Sequence, residues 1–331
     1  MPPSFGYHEN SSFSPLSPMF QLAWDSTSLG EFKTCPRKYY YSIVLGWEPL
    51  ETSVHLIFGL LMHSAAEHYD HFRASGVSHE DAMWRTLAWA MAATWNKALG
   101  RPWMSVDSNK NRLTLIRTIV WHMDKYGEND PLQTVILSDG RPAVELSFHF
   151  ANGYASQDGE PLLTCGHMDR IAKLNSESYI VDKKSTKNTI SASFFAQYSP
   201  DNQFSTYMLA GRVAFQLPVK GLIVDAAQVA VGFTRFERGL VERTEGQINE
   251  WVDGLGFWFA SAESCAKRGW ELESASGDSS IAWPMNDKNC SMYGGCSFRK
   301  ICSKAPGQRQ QWLRTEFRQR QWNPLSKRGD I

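Results

Sequence analysis

Leu162-Leu163-Thr164-Cys165-Gly166-His167-Met168-Asp169-Arg170, followed after a polar interval by Tyr179-Ile180-Val181-Asp182-Lys183-Lys184, is the stretch that decides the fold. Residues 162–174 have the composition of a strand, and Asn175-Ser176-Glu177 is a turn. A second strand then starts at Tyr179 and runs into Asp182-Lys183-Lys184. Asp169 and Asp182 therefore fall on neighbouring strands and point to one spot at the strand ends. Lys184 is two residues beyond Asp182 and shares its face, whereas Lys183 alternates to the other. Paired carboxylates suit a hard divalent ion such as Mg2+ or Mn2+. A lysine beside them can hold an attacking water or stabilise developing negative charge. Asp-x-Lys by itself is usually solvated surface; the apolar lead-in Tyr179-Ile180-Val181 favours a site here. The Lys183 carbonyl is a further possible ligand, and Arg170 either contacts phosphate or pairs with an acid.

Working outward, the spacing predicts helices over residues 28–45, 57–74, 79–98 and 112–126. Val144, Leu146, Phe148 and Phe150 alternate as in a strand, and Asn152-Gly153 and Asp158-Gly159 mark the connection that follows. Downstream, a helix fits 201–215, one strand fits 221–236 and a long helix fits 244–268. The expected domains are a flexible segment 1–25, a helical region 26–130, a core 131–270, a cysteine-rich segment 271–304 and a basic tail 305–331. This order implies an α/β fold: a mixed sheet flanked by helices, with a helical elaboration at the N-terminal side.

The 331 residues carry a formal net charge of zero, so no global basic field announces nucleic acid and any binding surface is a local patch. No apolar run is long enough to span a membrane, and the start lacks the features of a signal peptide, so a cytoplasmic protein is expected. Six cysteines in such a chain favour metal ligation or buried thiols over disulfides. The thirteen tryptophans are read first as core.

Asp169, Asp182-Lys183-Lys184 and the downstream Gln203-Phe204-Ser205-Thr206-Tyr207 resemble the PD-(D/E)XK nuclease superfamily, and the Q-x-x-x-Y element resembles its RecB-like branch. His63, in Phe58-Gly59-Leu60-Leu61-Met62-His63, matches the histidine of that branch. With Cys35, Cys290, Cys296 and Cys302, the chain is similar to the iron–sulfur subgroup over residues 26–304. That subgroup includes CRISPR-associated RecB-like nucleases, AddB-type nuclease domains and exonuclease V. The resemblance implies a restriction-endonuclease-like fold and a metal-dependent deoxyribonuclease, an exonuclease on single strands or DNA ends. It implies His63, Asp169 and Asp182 as ligands of Mg2+ or Mn2+ and Lys184 as the catalytic lysine. Gln203 and Tyr207, one helical turn apart, would bind nucleic acid or order the site, and Glu145 would be an additional acid. The sequence departs from the family in its second acid, Asp182 where Glu is frequent. It also departs in the extra Lys183, and in gaps of five residues between Cys290, Cys296 and Cys302 where the first is often two.

Four thiolates can hold a 4Fe-4S cluster or zinc. Paired short knuckles typical of zinc are absent, which favours the cluster, while Cys165 and Cys265 read as buried free thiols. A cluster on Cys35, Cys290, Cys296 and Cys302 would join the N-terminal helix to the C-terminal segment. Arg37, Lys38 and Tyr39 to Tyr41 interleave charge with rings, the mix that holds single strands. The tail, with Arg309, Arg314, Arg318, Arg320, Trp312 and Trp322, has the same mix or is a solvated segment. DNA is the expected partner, without sequence specificity. The rival reading is a non-catalytic or partner-dependent DNA-binding subunit of a recombination, repair or CRISPR-adaptation complex. No phosphate loop is present, so any motor would be a separate protein.

Overall fold

The computed structural model describes residues 11–276 and 279–326. They form two compact units. The first gathers the described residues up to Glu51, Ser147–Gly166 and those from Thr244 onward; the second is Thr52–Leu146 with His167–Arg243.

A seven-stranded mixed sheet is the organising element, as the sequence implies. Its path is β1 (Ala23–Trp24), β5 (Pro161–Leu174), β6 (Glu177–Thr186), β7 (Val219–Val229) and β8 (Thr234–Val241). β3 (Gln133–Thr134) and β4 (Val144–Ala155) also pair with β5. β5 and β6 are an antiparallel hairpin in the register Arg170–Val181, turned by Asn175 and Ser176 in left-handed conformations (φ 50° and 75°). β6 and β7 are parallel, with Asp182 opposite Val224 and Lys184 opposite Ala226.

In the second unit, α2 (Val54–Ala74), α3 (His79–Ala93) and α4 (Arg112–Tyr126) cover one face of the sheet. Phe58, Met62, Leu115, Ile119 and Met123 pack there against Ala227, Val229 and Phe236. Each helix begins where a side chain satisfies an orphan N–H: Ser53 for His55, Ser78 for Asp81, Asn111 for Thr114. On the other face lies α5 (Asn202–Val213), capped by Asp201. Its Gly211 permits close approach: a Cβ there would meet Val219 Cγ2 at 2.5 Å and Ile180 Cδ1 at 3.7 Å.

The first unit is held by rings. Trp24 stacks on Tyr39 at 5.5 Å, Trp283 stacks on Tyr40 at 5.5 Å, and Phe298 stacks on Phe317 at 4.9 Å. α1 (Ser26–Thr34), α6 (Glu245–Ser276) and α7 (Pro306–Glu316) are its longer helices.

Several boundaries differ from expectation. The helix expected over 28–45 breaks at Cys35, whose extended backbone (φ −166°) is what a following proline imposes. Pro36 starts a new turn that continues as a π-helix over Tyr40–Val44. The helix expected over 79–98 ends at Ala93, where the Thr94 hydroxyl turns back to the Ala90 carbonyl. The strand expected over 221–236 is two strands, reversed where Ala230 N–H donates to the Phe233 carbonyl. Of the segment expected to be flexible, residues 1–10 lie outside the described residues. The remainder is packed, with Met19, Phe20 and Trp24 buried and β1 paired to Leu163–Thr164. The basic tail forms α7 and β9 (Phe317–Gln319), which pairs with β2 (Trp47–Pro49). Among the described residues, no helix is long and apolar enough to cross a membrane.

Candidate active site

The hairpin register, carried one step past Arg170–Val181, sets Asp169 beside Asp182 on the face that β6 turns toward α5. Both are buried, at 9% and 1% exposure. The Lys183 N–H donates to Asp169 Oδ2 at 3.0 Å. α2 brings His63 to the same oxygen, its Nδ1 at 3.0 Å. Lys184 Nζ lies 2.7 Å from Asp182 Oδ2.

α5 completes the arrangement. Lys184 Nζ donates to Gln203 Oε1 at 2.8 Å, and Gln203 Nε2 donates to the Tyr207 hydroxyl at 2.9 Å. Gln203 and Tyr207 face the sheet together because they are one turn apart. The amide is thus held at both ends, and it fixes the ammonium beside Asp182.

The charges of this cluster are unevenly met. Burial would raise the Asp169 carboxyl, but the His63 charge and contact, with the Lys183 N–H, outweigh it and hold the group well below the usual range. Asp182 goes the other way: burial raises it, and the Asp169 charge adds to this despite Lys184. Burial would lower the Lys184 ammonium, but Asp182 and Asp169 more than compensate and raise it. Lys184 is therefore a cation at neutral pH, fitted to stabilise negative charge rather than to take a proton.

The opposite face of the hairpin carries a network the sequence did not disclose. Lys183 Nζ donates to Asp70 Oδ2 at 3.0 Å, and Arg170 Nη1 to Asp70 Oδ1 at 3.2 Å. Arg170 also donates to the Leu132 carbonyl. Asp70 lies two turns from His63 on α2, and that spacing is the one sequence signal for it. Beyond, Arg238 donates to Asp130 at 2.6 and 3.0 Å and to Asp225 at 3.2 Å, while His122 Nε2 lies 2.9 Å from Asp225. A cavity of about 30 Å3 lies among Tyr69, Asp70, His122, Arg170 and Lys183.

Glu145 is on β4 with left-handed backbone (φ 48°), which strand alternation did not foretell. The stacking surface expected from Arg37, Lys38 and Tyr39 to Tyr41 is corrected. Arg37 is 5% exposed and donates to the Trp283 carbonyl at 2.7 Å; the three tyrosines are core. Lys38 pairs with Glu31 at 2.7 Å. Their alternation of charge and ring follows from packing around Trp283. In the tail, Arg318 donates to Glu48 at 2.7 Å and Arg309 to the Lys304 carbonyl at 3.1 Å.

Cys35, Cys290, Cys296 and Cys302 all belong to the first unit and are free thiols. Burial raises the Cys296 and Cys302 thiols, and each also feels the charge of Cys35. The Cys296 N–H donates to the Cys290 carbonyl at 3.0 Å, and the Asn286 N–H to Cys35 Sγ at 3.3 Å. Cys165 is fully buried, as expected of an inert thiol. Among the described residues, no three His, Cys, Asp or Glu side chains stand at metal-holding spacing.

A family model described as the PD-(D/E)XK nuclease superfamily matches residues 24–303. No curated protein matches the chain. It is similar to a solved structure described as the crystal structure of SSO0001, with 11% identity over 71% of this chain and 77% of that one. The TM-score is 0.29, a likeness too slight to carry an argument.

Proposed function

Because the chain belongs to the PD-(D/E)XK nuclease superfamily, we propose that it is a divalent-metal-dependent deoxyribonuclease of the RecB-like iron–sulfur branch, an exonuclease on single strands or DNA ends. The observation that carries this reading is the buried pair Asp169 and Asp182 beside a lysine tied to Gln203.

The donor set fits a divalent cation. Two buried carboxylates repel one another, and Lys184, 2.7 Å from Asp182 Oδ2, offsets that only in part. Asp169 and Asp182 would hold Mg2+ or Mn2+ with His63 beside Asp169. Water, the substrate and the Lys183 carbonyl are the other donors to hand. When bound, the cation supplies charge neutralisation and an acidified water. Lys184, already cationic, stabilises the charge that develops on the phosphate. Gln203 holds Lys184 in place, and Tyr207 holds Gln203. His63 and the Lys183 N–H keep Asp169 ionised and oriented.

For the cluster, the four thiols make a suitable donor set. Gly294 and Gly295, with φ of 89° and 102°, let the loop fold back between Cys290 and Cys296. Its role would be structural, within the first unit. Iron and sulfide content after anaerobic purification tests it; a colourless, iron-free and fully stable protein rejects it.

The activity test is cleavage of end-labelled single- and double-stranded DNA with Mg2+ or Mn2+, beside Lys184→Ala. Metal-dependent cutting that vanishes in the variant supports the reading, and the product ladder gives polarity. Cutting that survives in the variant rejects this site.

A further inference from the structure

Lys110 is a buried cation that the catalytic arrangement does not use. It is 5% exposed, and no salt bridge engages it among the described residues. Its ammonium donates to Ser185 Oγ at 3.1 Å and stands 5.3 Å from the Phe58 ring centroid. Asp107, the carboxylate of the same loop, is already engaged. Its Oδ1 accepts the N–H groups of Asn109 and Lys110 at 2.8 and 2.9 Å, and its Oδ2 lies 3.4 Å from Lys187 Nζ. His55 is the third member. Partial burial, then Lys110 and Lys187, pull its imidazole below the usual range, with Asp107 offsetting only in part. Burial and Lys187 likewise lower the Lys110 ammonium. Two cations share one acid that, among the described residues, pairs only with Lys187, so positive charge is in surplus around the buried ammonium, and such an arrangement is destabilising. An anionic ligand would offset that surplus.

The position names the ligand. Ser185 follows Lys184 on β6, and Phe58 and His63 lie on α2. Ser185 alternates to the face opposite Lys184, but Lys187 stands just past the end of β6, three residues and about 10 Å beyond Lys184, and His55 lies in the first turn of α2, eight residues before His63. We propose that Lys110, Lys187 and His55 form a subsite for an internucleotide phosphate of the substrate strand, away from the phosphodiester being cut but on the same strand. The subsite rests on the nuclease reading of Asp169, Asp182 and Lys184. Lys187 and the exposed His55 form its mouth, and Lys110 its floor.

The test is the salt dependence of binding to a labelled oligothymidylate in EDTA, measured by anisotropy on the full chain. Single-strand binding loses about 0.7 in the slope of log K against log salt for each phosphate contact removed. Lys110→Gln and Lys187→Gln should each flatten the slope by about 0.7, and the double variant by about 1.4. Lys110→Arg should keep the parent slope, as should the control Lys220→Gln, far along β7. Should Lys110→Gln fail to fold, the surface variant Lys187→Gln still reads the subsite. Unchanged slopes in both folded variants, in a protein that still cuts, overturn the subsite and leave the nuclease standing. A parent chain that neither binds nor cuts DNA overturns both.

Discussion

The two faces of the β5–β6 hairpin carry nearly the same residue types and resolve them in opposite ways. Toward α2 and α4, Asp70 takes both Lys183 and Arg170, and Asp225 takes both His122 and Arg238. Each of these two acids has two basic partners, and both are held below the usual carboxylate range despite their burial. Toward α5, two acids crowd together, one of them raised by burial and by the other. One face has satisfied its charges and become structure. The other has kept a surplus of negative charge that a cation can answer, and the proposed chemistry resides there.

The largest expected effect breaks the second face without touching the first. Lys184→Ala should lower the cleavage rate by about 10^3-fold, the scale of losing one preorganised charge at a developing anion. Single-turnover rates at saturating Mn2+ measure it, with circular dichroism to check that the variant is folded. Next comes the reverse experiment. Asp70→Asn leaves Lys183 buried without its acid, and Arg170 with Asp130 only at 3.8 Å, and should cost roughly 3–5 kcal/mol. Urea unfolding monitored by tryptophan fluorescence reads this directly. A stability loss below about 1 kcal/mol would mean the network is not the structural half of the comparison.

Why one face was legible in the sequence and the other was not is a matter of range. Asp169, Asp182 and Lys184 could be brought together because alternation, a turn and a short register are local, and Gln203 and Tyr207 follow from helical period. The partners of the other face are far apart in the chain: Lys183 and Asp70 are 113 residues apart, Arg238 and Asp130 are 108. No period links them. Burial misled in the same way at Arg37 and Tyr39 to Tyr41, where a pattern that suits stacking on bases is consumed by Trp283. The reversal at residues 230–233 hid inside an apolar run that reads as one strand.

A smaller effect sharpens the division of labour within the site. Gln203→Ala removes the acceptor that holds Lys184 but leaves the charge in place. The rate should fall by about 10-fold to 100-fold, well short of Lys184→Ala, because orientation is lost and charge is kept. Tyr207→Phe should fall less again, since it acts on Lys184 only through Gln203.

The smallest effect is the one whose sign separates the faces. Asp182 is raised in the folded chain, so the folded state holds its proton to higher pH than the unfolded state does. Ionising it costs stability, and that cost appears as pH rises from about 4, the unfolded value, through the raised folded one. Asp182→Asn removes the cost and keeps an acceptor for Lys184. In EDTA the variant should match the parent near pH 4 and exceed it by roughly 1 kcal/mol at pH 7, a gain usual where a site is relieved of a functional charge. Asp225→Asn should do the opposite. Its carboxyl is depressed in the folded chain, so its contribution is present above the unfolded value and lost as pH falls below about 4. The variant should therefore lie below the parent at pH 7 and converge with it in acid. Two Asp→Asn changes on adjacent strands of one sheet, with stability differences of opposite sign at neutral pH, are what a sheet with one settled and one unsettled face requires. The same sign in both would erase the distinction.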